Sequence, residues 1–78
     1  MTATSPPDLG DVIRNLRLEL GLTQEKFAAQ LGVSFPTVNR WENKHAKPSP
    51  LALEKIEAMI AKLSKAKQKA LGYSAVRK

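Results

Sequence analysis

The chain has no cysteine and a single histidine, His45. Disulfides, thiolate metal sites and Cys/His metal clusters are therefore excluded, and neither a metal nor a cofactor is expected. The missing thiols also fit a reducing compartment. Aromatic residues are scarce: one Trp, one Tyr and two Phe among 78 residues. Long apolar runs are missing too, and those present fall far short of the ~20 residues that span a bilayer. Met1 to Pro7 lacks the basic-then-apolar layout of a secretory signal. A cytoplasmic protein without a membrane role is expected. Acidic residues number seven against 13 basic ones, and a chain this short holds one small domain.

The basic excess is uneven. Residues 1–50 carry six basic and five acidic side chains, whereas residues 51–78 carry seven basic and two acidic. The basic end reads either as a solvated tail or as a face that attracts phosphates by displacing their counterions. Lys65, Lys67 and Lys69 fit the first reading as well as the second.

Apolar spacing is helical throughout, with no strand-like alternation and no repeat. Residues 1–7 are polar and proline-containing and read as a disordered arm. Asp8 is placed to cap a first helix, whose stripe is Leu9, Ile13, Leu16 and Leu20, and Gly21 ends it. Thr23 caps a second helix with Gln24 and Glu25 in its first turn. Ser34 caps a third, with Pro36 tolerated near its start and disfavouring helical angles at Phe35. Asn43 to Ser49 reads as a loop. Ser49-Pro50 opens a fourth helix with the stripe Leu53, Ile56, Ile60 and Leu63, and Met59 beside it. That helix is expected to run on toward Leu71 and fray before Gly72.

The stretch from Thr23 to Glu42 carries the most information. Phe27, Ala28 and Leu31 share one face of the second helix, and Val38 and Trp41 share one face of the third. Ala28 is small where two axes must pass closely, and Gly32 can take the positive φ of a tight turn. Two short helices crossing through a Gly-containing turn form a helix-turn-helix, whose second helix enters the DNA major groove. Arg40 lies off the Val38/Trp41 face and therefore points outward.

At this level the residues look like a known family. Arg17, Gly21-Leu22-Thr23-Gln24, Leu31-Gly32-Val33-Ser34, Arg40-Trp41-Glu42-Asn43 and Lys47-Pro48-Ser49 resemble the Cro/phage-repressor-type helix-turn-helix regulators, the XRE family. The likeness covers about residues 9–63. It implies an all-α, compact, lambda-repressor-like domain of four helices, with a fifth as the alternative. Domain limits then follow: an arm over 1–7, the helix-turn-helix domain over 8–63, and a lysine-rich helical extension and tail over 64–78.

The resemblance also implies roles. Gln24 would bind a backbone phosphate, as would Asn43, Lys44 and Lys47 in the following loop. Phe35, Pro36, Thr37, Asn39 and Arg40 fall on the base-reading surface, and Arg17 and Glu42 match a structural ion pair. Departures matter here. Phe35 and Pro36 stand where relatives carry polar groups, so Phe35 either meets a thymine methyl or staples the core near the turn. Arg40 then becomes the candidate for bidentate guanine recognition. Lys44 stands where many relatives have glycine.

Catalysis finds no support. One loop histidine cannot build a nucleophilic triad, no glycine-rich phosphate loop exists, and the carboxylates are scattered. The expected function is a sequence-specific regulator of transcription on double-stranded DNA, a repressor, working as a homodimer on a near-palindromic site. The alternative is an antitoxin-type or DNA-targeting module whose basic tail, residues 64–78, binds a protein partner. A basic amphipathic helix binding an acidic protein or an anionic membrane is the third reading, discouraged because the fourth helix needs its apolar stripe for the core.

Overall fold

A computed structural model describes residues 8–71, so the expected arm over 1–7 and the end of the tail over 72–78 lie outside the described residues. Those described form five helices in order: α1 Leu9–Glu19, α2 Gln24–Leu31, α3 Phe35–Glu42, α4 Pro50–Ala61 and α5 Lys65–Ala70. Four of the five starts follow one chemistry. Thr23, Ser34, Ser49 and Ser64 each accept a hydrogen bond from a backbone N–H three residues on, at 3.1–3.3 Å, which satisfies a donor the helix cannot. The cap at Ser34 prevails over the restraint of Pro36, so Phe35 is already helical.

The ends of α1, α2 and α3 also share one chemistry. In each, a residue in the left-handed region lets two backbone N–H groups turn back onto the last carbonyls. At α1 these are Gly21 and Leu22, bonding to Leu18 and Arg17 at 3.0 Å. At α2 they are Gly32 and Val33, bonding to Ala29 and Ala28 at 3.2 and 3.0 Å. At α3 the same position belongs to Lys44, with φ 66° against 70° and 74° at the two glycines. Lys44 and His45 bond to Trp41 and Arg40 at 3.1 and 2.9 Å.

One core is built from Val12, Ile13 and Leu16 of α1, Phe27, Ala28 and Leu31 of α2, Val38 and Trp41 of α3, and Ala52, Ile56 and Ile60 of α4. Each of its larger side chains contributes on the order of 2 kcal/mol by burial. Two stripe positions differ from expectation. Leu20 is the C-cap residue of α1, where the Gly21 turn carries it off the core face, and Val12 takes its place. On α4 the buried row runs through Ala52, Ile56 and Ile60, spaced by four, leaving Leu53 half-buried at the row's edge.

The end of the chain departs further. The fourth helix does not run on to Leu71: it stops at Ala61, the chain turns through Lys62 and Leu63, and Ser64 caps a separate helix. α5 is then fastened in place. The Gln68 side-chain amide donates to the Ile60 and Leu63 carbonyls at 3.1 and 3.0 Å. Asn15 donates to the Leu71 carbonyl at 3.3 Å, and Lys67 pairs with Glu19 at 3.0 Å. Leu71 itself is 2% exposed, a full member of the core.

Candidate nucleic-acid interface

Helix α3 is divided lengthwise. Val38 and Trp41 face inward and are buried, while Phe35, Pro36, Asn39 and Arg40 face outward. Phe35 is 44% exposed, so its apolar ring stands in solvent and does not staple the core. Thr37 lies half-buried at the margin, its hydroxyl 2.8 Å from that of Ser34. Arg40 forms no ion pair among the described residues, which leaves its guanidinium available to a ligand.

The orientation of α3 is set from within. Arg17 on α1 grips Glu42 with both arms of its guanidinium, Nε to Oε2 at 2.7 Å and Nη2 to Oε1 at 3.0 Å, and donates a third bond to the Leu22 carbonyl at 3.0 Å. The Gln24 amide donates to the same Glu42 carboxylate at 3.0 Å. One carboxylate therefore fixes the start of α2 and the end of α3 against α1. The Glu42 hydrogen bond raises the Arg17 pKa above its ordinary value, with burial opposing it. The guanidinium is thus charged throughout the neutral range.

Gly10 allows α1 to approach the end of α3. A Cβ there would lie 2.5 Å from the Trp41 carbonyl oxygen, a contact that no real side chain makes. Just beyond, the Lys44 ammonium reaches back to α1, 3.3 Å from Asp8 and 3.2 Å from Asp11. The Asp8 backbone occupies the cap position of α1, but its carboxylate accepts no capping bond and turns to Lys44 instead. Hydrogen bonds from Lys44 to Asp11 and then Asp8 raise the lysine pKa, so the ammonium keeps its charge throughout the neutral range.

The residues expected from sequence thus fall into three groups. Phe35, Pro36, Asn39 and Arg40 share the outer surface of α3, with Thr37 at its edge. Asn43 and Lys47 are exposed in the loop that follows, where Asn43 also donates to the Asn39 carbonyl at 3.0 Å. Gln24 and Lys44 each have a partner within the protein. Asp8, Asp11 and Gly10 were not singled out as parts of this surface. The spacing of the two aspartates and the lysine at a glycine position were the legible signs.

These features meet known proteins at one point. A helix-turn-helix family model matches residues 13–66, more than half of the chain. The chain belongs to this XRE-type helix-turn-helix family. The family is one of DNA-binding regulatory domains rather than enzymes, and this helix-turn-helix chain is a DNA-binding domain of the kind found in transcriptional regulators. It is also 53% identical over 36 residues to a propionyl-CoA carboxylase regulator of Cereibacter sphaeroides. That match covers 46% of this chain and 8% of the much longer relative. No solved structure matches it. No helix among the described residues is long and apolar enough to cross a membrane.

Proposed function

We propose that this helix-turn-helix chain is a sequence-specific regulator of transcription, a repressor, that reads the major groove of double-stranded DNA with α3. The observation that carries the reading is the division of α3. Its inward residues are buried and its end is tied to α1 by Arg17, while Phe35, Pro36, Asn39 and Arg40 remain free on the outside. An exposed aromatic on a small domain with few aromatics has a use if its ring meets a thymine methyl. Arg40 would recognise a guanine through two hydrogen bonds. Asn43, Lys44, Lys47 and the free positions of the Gln24 amide would hold phosphates and set the register. Two copies on a near-palindromic site would supply the affinity that one short helix cannot.

Selection from random duplex DNA with the purified protein, repeated at two salt concentrations, tests the reading. A short enriched motif with steeply salt-dependent affinity is expected. Salt-sensitive binding without any motif would redirect the search to a protein partner, with the chain as the DNA-targeting module of a larger system. Single variants divide the roles. Arg40→Ala is expected to lose about 1–3 kcal/mol on the selected site and little on random DNA. Lys47→Ala should weaken both alike and lower the salt slope by about 1. Equal losses on both DNAs for both variants would refute that division.

A further inference from the structure

We propose that Asp8 and Asp11 act as an intramolecular brake on DNA binding, holding the Lys44 ammonium as phosphate oxygens would until DNA displaces them. The inference rests on the DNA-binding reading above and goes beyond it, because it assigns a role to residues outside the expected interface.

Three observations meet at Lys44. Its ammonium lies between two carboxylates, 3.3 Å from Asp8 Oδ2 and 3.2 Å from Asp11 Oδ1. Its stem runs over the one position of α1 without a side chain, with Cγ only 3.3 Å from where a Gly10 Cβ would stand. Its backbone holds φ 66°, pinned by the turn that ends α3. The lysine is thus aimed away from the loop that carries Asn43 and Lys47 and toward the start of α1. Asp8 at the cap position and Asp11 in the first turn sit where the helix's positive end favours negative charge.

The chemistry is a competition for one cation. An ammonium is a compact charge with three donors, and carboxylate and phosphate oxygens satisfy it in the same way. Two carboxylates against one ammonium leave this corner with a net negative charge, which repels phosphate. All three side chains are about half exposed, so the pairing is weak and reversible. Close approach of a phosphate, with release of its counterions, can capture the lysine. A weak brake of this kind lowers affinity for every sequence alike, and so discourages residence on random DNA.

The experiment is a cycle on the full chain, using Asp8→Asn/Asp11→Asn, Lys44→Met and the triple variant. Binding to a random-sequence duplex is followed by fluorescence anisotropy over a salt series. Asn preserves the helix start, and thermal melts check that each variant folds. The double aspartate variant is expected to bind about three- to tenfold tighter at low salt. Lys44→Met should weaken binding less in the wild-type background, where the aspartates compete for the ammonium, than in the aspartate-free one, where it removes the whole gain. A gain that survives Lys44→Met would be bulk charge and would overturn the brake. So would a loss on Lys44→Met of equal size in both backgrounds, or no gain at all. An enriched motif without this coupling would leave the DNA-reading proposal standing, whereas wild-type protein that binds no duplex at any salt would overturn both.

Discussion

At Gly10 a hydrogen atom in place of a methyl decides how closely two helices pass. Alanine is the better helix former by about 1 kcal/mol, so an exposed glycine in α1 would be improved by replacement. Here the added Cβ would meet the Trp41 carbonyl oxygen at 2.5 Å, and that oxygen belongs to the backbone of α3 and cannot rotate aside. The second effect wins. Gly10→Ala is expected to destabilise the domain by a net of about 1–3 kcal/mol, read from urea unfolding; a gain in stability would mean that α1 and α3 separate easily. Glu42 poses a related problem with charge. Its carboxylate is 5% exposed and engages both Arg17 and Gln24. Glu42→Ala strands the Arg17 guanidinium and should cost about 3 kcal/mol. Replacing both members, Arg17→Met with Glu42→Leu, should recover most of that loss, since the pair orients α3 more than it stabilises the fold. If the double variant unfolds as readily as the single one, the network matters for more than orientation.

At the scale of elements, the helices were legible wherever a cap and a stripe agreed. Thr23, Ser34 and Ser49 each sit before an apolar period, and each caps the helix expected of it. Orientation at a helix end was less legible, because it depends on a turn rather than on a period. Leu20 obeys the α1 stripe, yet Gly21 takes it out of the core. The division of α3 followed from the Val38/Trp41 spacing, but the choice between core and solvent for Phe35 did not. α5 was expected only as the alternative fifth helix, for another reason. Its composition is that of a solvated tail, and its attachment rests on one apolar residue, one ion pair and side-chain bonds to carbonyls, which leave no periodic trace. Ser64, a cap with no stripe behind it, was the available sign. The consequence is measurable. Leu71→Ala should cost about 2–4 kcal/mol, as for a buried leucine, and a truncation after Leu63 should lower Tm at least as much. Unchanged melting in both would mean that α5 only rests on the surface.

At the scale of the whole molecule, size constrains how the domain can be used. Its principal extents are 36 × 27 × 23 Å, close to the ~34–36 Å that separates successive major grooves on one face of B-DNA. The eight residues of α3 span about 12 Å, enough for a few base pairs and too few to define a site among the many competing sequences of a genome. Two copies, each in its own groove, would resolve that shortage, and domains of this size would then lie near enough to touch. The motif recovered by selection is accordingly expected to be an inverted repeat with half-site centres one helical turn apart. Spacing supplies the test. Inserting about half a turn, roughly 5 base pairs, between the half-sites rotates the second copy to the opposite face. Gel-shift titration should then show the two copies binding independently, with the affinity of single half-sites. Insertion of a full turn restores the facing but not the contact, so cooperative binding should stay low there too. Affinity indifferent to all three spacings would mean that each copy acts alone, and that specificity must come from a longer reading surface than α3 provides.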